Sequence, residues 1–432
     1  MDNRRGSFLS LFSSAAFSAF TWAAFLSLAA PLAAQPPLVL VPGPVFPIDT
    51  PRPEGQVVGR PLAVKAPGIS RILIVWTRGG ADGVAHVIWA REIEEGSPSH
   101  ALTPERVLVR APGKAILDVH LSASWDRYVL AWRTFDPALR RSEMFVRQFD
   151  IFLRPLGPPK NVALDTTEPP GQVFLTDGPR AGLDDSGRLV VAWLEEIDLF
   201  GLGRADLTWM RVKRFAVDGS LESDLRWGST EGSRALALAV APGGSFLVAW
   251  EDFDADVETV TRARLYGAND ATPPINLDPG QDTGFCLHSS RSPAVAANYN
   301  SFFLAFADPL GRRVQGGGTD PLCFGLFGQA YDLSGARLRG EFRIKRNSGS
   351  PIVESNRSQF LVTWEGNPPP PPGGVRQPGA YAHPFRDDGQ SAGPDLFIQR
   401  TPVSGVAFYS DIAVLVWADH GVKARELRGH PP

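Results

Sequence analysis

Short runs of apolar residues recur along the chain at nearly constant intervals, and each run ends in a large aromatic side chain. Successive aromatic residues are 53 to 61 positions apart, and they are Trp76, Trp132, Trp193, Trp250, Phe306, Trp364 and Trp417. Self-similarity at such a period indicates a repeat architecture. Seven units of this length occupy nearly all of the 432 residues, which leaves no room for a second domain.

The runs are apolar at nearly every position, as in Val190–Trp193 and Leu247–Trp250. A strand with one face in water should alternate between apolar and polar residues, so continuous apolarity indicates that both faces are covered. Turn signals flank the runs, as in Asp184–Gly187 and Phe215–Gly219, and no long stretch shows helical spacing. Each unit is therefore predicted to form four antiparallel strands, A to D, with the apolar run as strand B.

Sheets stacked around an axis cover both faces of every strand, so the pattern predicts an all-β, seven-bladed β-propeller over residues 35–432. An open array of β-sheets is the alternative fold. Proline is tolerated at the first position of a strand and disfavoured within it. Prolines 13 to 15 positions before the aromatic residue therefore predict the start of strand A in five units: Pro61, Pro179, Pro293, Pro351 and Pro402.

The two ends of the chain predict how the ring closes. The last unit supplies strands A, B and C, with strand C near 422–427, but no strand D. Residues 38–48 are the candidate for this missing outer strand. Pairing them with strand C of the last blade would remove the sheet edges that an open array exposes.

The N-terminal segment is typical of an export signal. Arg4 and Arg5 precede an uncharged stretch over 8–34, and the small residues Ala33 and Ala34 offer a cleavage site. We therefore expect residues 1–34 to be a signal peptide and the protein to be secreted or periplasmic. The stretch is also long enough to span a bilayer if it is not cleaved, so an N-terminal anchor is the alternative. No later apolar run approaches membrane-spanning length.

The net charge of −3 argues against a nucleic-acid partner, which requires a strongly basic face. Two cysteines, Cys286 and Cys323, flank strands that start at the same end of blade 5. In an oxidising compartment they are predicted to form a disulfide. So few cysteines exclude a disulfide framework or a cysteine-rich metal site.

The pattern resembles the long-period, Trp-ended strand repeats of secreted bacterial β-propellers, from Arg60 to Pro432. The Trp-Asp pair of WD-type blades, the Asp box of sialidase-type blades and the double glycine of kelch-type blades do not recur. The resemblance therefore implies the propeller fold, and it assigns no functional residue.

Candidate binding residues gather where strand B meets strand C. An acidic residue follows the recurrent aromatic in six of the seven units, and the long B–C loop of blade 5 adds two arginines. We expect these residues to form one rim, which would attract a cation or basic ligand or bind sugar hydroxyls. Its predicted members are Asp136, Glu195, Glu251, Asp308, Arg312, Arg313, Glu365 and Asp419. The alternative is that an acidic residue merely ends each strand at the solvent.

Asp252, Asp254 and Asp256 place three carboxylates two residues apart, a spacing that suits Ca²⁺ as a possible cofactor. An EF-hand loop would need glycine and glutamate where Val257 and Ala263 stand, so a solvated acidic loop is the alternative. The histidines form no metal-spaced pair, and the sequence reveals no Ser, His and Asp trio.

These observations predict an exported, non-enzymatic propeller that binds or scaffolds a protein or glycan through its B–C loop rim. The alternative is a glycan-active or other hydrolytic enzyme that uses the acidic rim residues. A catalytic pocket should bring together carboxyl groups with perturbed pKa values. A binding face should instead show exposed aromatic and arginine side chains without such convergence.

Overall fold

The chain forms seven four-stranded antiparallel sheets that are the blades of a β-propeller. The computed structural model describes residues 38–50, 59–80, 82–95, 103–164, 172–198, 207–229, 233–253, 259–269, 273–277, 291–308, 312–313, 319–320, 325–346, 348–366, 378–419 and 421–430. None of these ranges contains a helix of membrane-spanning length and hydropathy. The predicted signal peptide, 1–34, lies outside them and stays a prediction.

The strands follow one another along the chain, and strand A of each blade is innermost. The first strand is β1 (Val39–Pro47). Blade 1 contains β2 (Leu62–Lys65), β3 (Arg71–Gly79), β4 (Ala85–Glu94) and β5 (Arg106–Arg110). Blade 2 contains β6 (Ala115–Ala123), β7 (Arg127–Asp136), β8 (Arg141–Asp150) and β9 (Lys160–Leu164). Blade 3 contains β10 (Gln172–Leu183), β11 (Leu189–Asp198), β12 (Leu207–Phe215) and β13 (Leu221–Ser229).

Blade 4 contains β14 (Arg234–Val240), β15 (Phe246–Asp252), β16 (Val260–Tyr266) and β17 (Ile275–Leu277). Blade 5 contains β18 (Arg291–Ala297), β19 (Ser301–Asp308), β22 (Gly325–Asp332) and β23 (Arg337–Lys345), and its B–C connection carries a ribbon of β20 (Arg312–Arg313) and β21 (Thr319–Asp320). Blade 6 contains β24 (Ser348–Ser355), β25 (Gln359–Gly366), β26 (Gly379–Arg386) and β27 (Leu396–Gln399). Blade 7 contains β28 (Gly405–Tyr409), β29 (Ile412–Ala418) and β30 (Val422–His430), together with β1.

The B strands are buried on both faces, as the apolar runs predict. Every residue of β15 and of β19 is buried. One hydrophobic cluster of described residues fills each interface between adjacent blades. Trp76, for example, belongs to the cluster between blade 1 and blade 7, together with Val416 and Ala424. The core is thus a ring of interfaces between blades.

Strand A departs from the prediction in blades 3, 5 and 6, where it begins before its proline. Each of these prolines follows a residue with positive φ and lies inside its strand, where the pairing register shifts. The three pairs are Gly178–Pro179, Ser292–Pro293 and Ser350–Pro351. A β-bulge leaves a residue unpaired, so the missing proline N–H costs no ladder hydrogen bond there.

The ring closes through the N-terminal strand, as predicted. Strand β1 pairs antiparallel with β30 and becomes the outer strand of blade 7. Asp49 lies two residues after the end of β1. Its carboxylate accepts a hydrogen bond from the backbone N–H of Val422 at 2.8 Å and another from Arg78 Nη2 at 3.1 Å. Because Arg78 belongs to β3, this carboxylate ties blade 7 to blade 1.

Because neighbouring strands are antiparallel, successive connections lie on opposite faces of the propeller. The A–B and C–D turns lie on one face, which we call the turn face, and the B–C connections lie on the other, the loop face. The rim predicted from the sequence belongs to the loop face.

Candidate functional site

The innermost strands of all seven blades enclose a channel along the propeller axis. Its cavity has a volume of about 200 Å³ and is lined by the last residues of the seven A strands and by their A–B turns. The cavity therefore lies toward the turn face. This end of the channel is the candidate functional site.

The A–B turns of blades that are not neighbours meet over the channel. The Tyr299 hydroxyl of blade 5 donates a hydrogen bond to Asp185 Oδ2 of blade 3 at 3.1 Å. The Arg357 guanidinium carbon of blade 6 lies 4.9 Å from the ring centroid of Trp125 in blade 2. Both contacts cross the opening, and these four residues together are called the channel mouth.

The two aromatic side chains of the channel mouth are unusually accessible. Trp125 is 42% exposed and Tyr299 is 41% exposed, whereas the recurrent aromatic residues of the B strands are buried. Arg357 is exposed and makes no ion pair with any residue that the structure describes. Exposed aromatic and arginine side chains are enriched where proteins bind their ligands and partners.

Local packing holds Trp125 at the opening. The backbone N–H of Gly68, in the A–B turn of blade 1, donates to the Trp125 carbonyl oxygen at 3.2 Å. A Cβ atom at Gly68 would lie 2.6 Å from that oxygen, so only glycine allows this approach. The close contact between the two turns positions the indole beside Arg357.

The turn of blade 3 holds Asp185 in a similar way. Its backbone N–H donates to the carbonyl oxygen of Pro242 in blade 4 at 3.0 Å. The preceding residue, Asp184, accepts hydrogen bonds from Ser186 Oγ at 2.6 Å and from Arg188 Nε at 2.7 Å. Partial burial raises the pKa of Asp185, although the hydrogen bond from Tyr299 opposes this shift.

Lys65, His120, Glu354 and Tyr409 line the channel behind its mouth, and two of them, His120 and Glu354, are mainly uncharged at neutral pH. Burial, assisted by the positive charge of Arg180, lowers the pKa of His120 to about 3. Its Nδ1 accepts a hydrogen bond from the backbone N–H of Ala181 at 3.2 Å, so Nε2 carries the proton. Burial raises the pKa of Glu354 to about 8. Among the described residues, neither Glu354 nor Asp185 is hydrogen-bonded to a second carboxyl group.

On the loop face, two of the predicted rim residues are engaged in internal contacts. Glu195 is buried, accepts a hydrogen bond from Trp193 Nε1 at 2.8 Å and lies 3.6 Å from Arg211 Nη1. Glu251 is also buried, and its carboxylate is 3.0 Å from Arg234 Nε and accepts a hydrogen bond from the backbone N–H of Ser292. These two carboxylates stabilise strand ends and blade contacts.

The other rim residues have separate surroundings. Asp136 accepts hydrogen bonds from the backbone N–H groups of Ala138 and Leu139 at 3.0 and 3.1 Å. Asp419 is paired with Lys423 Nζ at 2.7 Å. Asp308 is buried, Glu365 is exposed, and Arg312 and Arg313 form the short strand β20. The rim therefore stays a prediction. Each of the rim carboxylates whose contacts are given above is bound to its own neighbouring groups, and these contacts have no partner in common.

The predicted calcium site and disulfide fall largely outside the described residues. Asp252 is described, and its Oδ1 accepts a hydrogen bond from Ser233 Oγ at 2.8 Å. Asp254, Asp256, Cys286 and Cys323 lie outside the described ranges. Within those ranges, no group of three or more His, Cys, Asp or Glu residues is arranged to hold a metal ion. Both features remain predictions.

Sequence reasoning missed all four residues of the channel mouth. The available signal was a bulky aromatic residue in a tight turn, where glycine, asparagine or aspartate is the usual occupant. Trp125 and Tyr299 both meet this description. The recurrent aromatic residues of the B strands dominate the sequence pattern, because only those repeat.

No family model matches the chain, and no curated protein sequence matches it. Solved structures are similar to it. The β-propeller domain of the Trilobed protease from Pyrococcus furiosus has 8% sequence identity and a TM-score of 0.48, with coverage of 88% of this chain and 95% of that one.

Two sialidases are also similar to this chain. The Hadza microbial sialidase Hz136 has 9% identity and a TM-score of 0.47, covering 87% of this chain and 66% of its own. Trypanosoma rangeli sialidase has 10% identity and a TM-score of 0.43, covering 77% of this chain and 54% of its own. This chain thus spans about half the length of the trypanosomal enzyme.

Proposed function

We propose that this protein is a binding propeller that holds a glycan at the channel mouth without converting it. One observation carries the proposal: exposed aromatic and arginine side chains from non-adjacent blades converge over the channel. Trp125 offers an apolar surface to the C–H groups of a sugar ring, and Asp185 and Arg357 offer an acceptor and donors to its hydroxyls. The rigid blades hold these groups in place before the ligand arrives, which lowers the entropic cost of binding.

His120 and Glu354 favour a neutral, polar ligand in the channel, and Lys65, which also lines it, is paired with Glu95. At neutral pH, the neutral imidazole of His120 can donate from Nε2, and the protonated carboxyl of Glu354 can both donate and accept. A charged group entering the channel would lose its hydration without gaining a counter-charge from these two residues. An uncharged sugar hydroxyl meets no such penalty.

The enzymatic alternative rests on the raised pKa values of Asp185 and Glu354 in the same channel. Glycoside hydrolysis generally uses two carboxyl groups that flank the scissile bond. Asp185 belongs to blade 3 and is engaged by Tyr299, whereas Glu354 belongs to blade 6. Binding without conversion therefore suits the site better.

The test is binding of the full chain to a panel of neutral and charged oligosaccharides, followed by titration calorimetry with the best ligand. Trp125→Ala should weaken binding by about tenfold or more, as expected for an aromatic binding residue. Phe152→Ala is the matched control, because Phe152 is an exposed aromatic in the C–D turn of blade 2, away from the channel. This control should leave the affinity unchanged.

Three outcomes would overturn the proposal. If Glu365→Gln and Asp419→Asn abolish binding while Trp125→Ala does not, the ligand lies on the loop face, as the sequence predicts. If only polypeptides bind in a Trp125-dependent manner, the ligand is a protein. If a bound glycan is cleaved and Asp185→Asn or Glu354→Gln stops the cleavage, the channel mouth is a catalytic site for glycans.

A further inference from the structure

Blade 6 holds a serine, a histidine and an aspartate in sequential hydrogen-bond contact, away from the channel mouth. His383 Nδ1 lies 2.8 Å from Asp395 Oδ1, and His383 Nε2 lies 2.8 Å from Ser391 Oγ. We propose that Ser391 is a nucleophile activated by His383, and that this site hydrolyses small acyl esters. The activity would be separate from glycan binding.

The protonation of the three groups follows from their contacts. Burial opposes ionisation of Asp395, but hydrogen bonds from His383 and Lys345 outweigh it and lower the pKa of this carboxyl. An ionised Asp395 can only accept, so His383 Nδ1 carries a proton. In the neutral imidazole the lone pair is then on Nε2, which faces the Ser391 hydroxyl. This is the arrangement that a general base needs in order to activate serine.

The C–D turn of blade 6 brings these residues together. Strand β26 ends at Arg386, and the chain turns back so that Ser391 lies opposite Phe385. A hydrogen bond from the Ala392 N–H to the Pro384 carbonyl oxygen, at 2.9 Å, fixes the returning segment. The His383 ring packs on Phe385 with 4.5 Å between ring centroids.

Accessibility suits the proposed roles. The His383 side chain is largely buried, whereas Ser391 is exposed. The backbone N–H groups of Ser391 and Gly393 donate no hydrogen bond to any described residue, and they are the donors that we propose for the ester carbonyl oxygen. The Gly393 carbonyl oxygen lies 2.9 Å from Ser391 Oγ and competes for its proton. We therefore expect slow turnover and a preference for small, reactive esters.

The proposed reaction consumes only ester and water. Ser391 Oγ bonds to the carbonyl carbon while its proton passes to His383 Nε2. The bond from carbon to the alkoxy group breaks, and the alcohol leaves with that proton. Water then attacks the acyl-serine, the carboxylic acid is released, and a proton from water returns through His383 to Ser391 Oγ.

The test uses the full chain with two probes. A fluorophosphonate should modify Ser391, as located by mass spectrometry of the peptides, and p-nitrophenyl acetate should be hydrolysed. Ser391→Ala should abolish both reactions, and His383→Gln should slow both by about 100-fold, the lower range for loss of a general base. Asp395→Asn should also slow both, because it removes the carboxylate that orients the imidazole.

Ser334→Ala is the matched control. Ser334 is also exposed and its hydroxyl donates a hydrogen bond to Asp332 Oδ1 at 2.7 Å, but no histidine in the described part of the chain is hydrogen-bonded to it. This variant should react as the parent does. The proposal is overturned if the fluorophosphonate leaves Ser391 of the folded parent unmodified, or if His383→Gln, with an unchanged melting temperature, is modified as fast as the parent.

Discussion

At the residue scale, the partners of an acidic side chain depend on the strands and blades that surround it. Glu195 and Glu251 are as polar in the sequence as Glu365. In the fold, Glu195 accepts a hydrogen bond from an indole and Glu251 contacts the next blade, whereas Glu365 is exposed. Whether a carboxylate is exposed to solvent or buried against protein depends on the neighbouring strands and blades. The sequence of one strand does not specify which groups those neighbours place beside it.

Glu354 provides a prediction on pH dependence. Its pKa of about 8 in the fold exceeds the model-peptide value for glutamate, so the native state binds more protons than the unfolded state between roughly pH 4.5 and 8. Stability should therefore fall as the pH rises through this window. Glu354→Gln should remove the dependence and be more stable than the parent at pH 8 by about 1–3 kcal/mol, a range that allows for water in the channel.

Urea denaturation of the parent and the variant at pH 5 and pH 8 measures this difference. Glu365→Gln serves as the control, because Glu365 is exposed and outside the channel. The pKa of His120 is lowered in the fold, so this residue destabilises the native state at pH values below its pKa in the unfolded chain. The effect is the same in both proteins and cancels in the comparison. A difference between Glu354→Gln and parent that does not grow with pH would contradict the prediction.

At the element scale, the predictions succeed where strands are long and apolar. The B strands are confirmed, because burial on both faces gives them a continuous apolar sequence. The closing strand is confirmed as well, because the last blade lacks a fourth strand of its own. The start of strand A is wrong in blades 3, 5 and 6, because a bulge accepts a proline that a regular ladder would exclude. The ribbon of β20 and β21 has two-residue strands, which are too short for any alternation to appear.

The connection after β1 gives a prediction on stability. Arg78 is 6% exposed, and it donates to Asp49 and to the Thr50 carbonyl oxygen. Removing one partner of a buried ion pair leaves the other charge uncompensated. Arg78→Ala should therefore lower the free energy of unfolding by about 3 kcal/mol.

Arg154→Ala is the control for this prediction. Arg154 is also paired with an aspartate, at 2.6 Å from Asp150 Oδ2, but its side chain is 73% exposed. An exposed pair of this kind contributes about 0–1 kcal/mol. Chemical denaturation of both variants measures the two losses, and equal losses would show that Arg78 does not connect the closing strand to blade 1 as we infer.

At the scale of the whole molecule, the fold was predictable because seven copies of one pattern reinforce each other. The channel mouth was not, because Trp125 and Arg357 are brought together only when the ring closes. The residues His383, Ser391 and Asp395 are close in the sequence, but their spacing follows from the C–D turn of blade 6 and matches no recurrent motif. Repeats therefore reveal the scaffold, and the sites arise where the copies differ.

Ring closure gives the last prediction. Deleting residues 35–48 removes β1 and leaves the outer edge of β30 without a partner strand. An unpaired edge is a template for pairing with other chains, so the truncated protein should aggregate and melt at a lower temperature than the parent. Light scattering after size-exclusion chromatography and thermal unfolding measure these two effects.

Two substitutions within β1 distinguish the loss of ring closure from a nonspecific effect of changing this segment. Leu40 is 6% exposed and packs between blades 6 and 7, whereas its neighbour Val41 is 44% exposed. Leu40→Asp buries an unpaired charge and should lower the free energy of unfolding by about 3 kcal/mol or more, while Val41→Asp should change it by less than about 1 kcal/mol. If the truncated chain stays monomeric with an unchanged melting temperature, or if both substitutions have the same effect, β1 does not close the ring. Loss of stability in Leu40→Asp alone, together with aggregation of the truncated chain, is the result that closure requires.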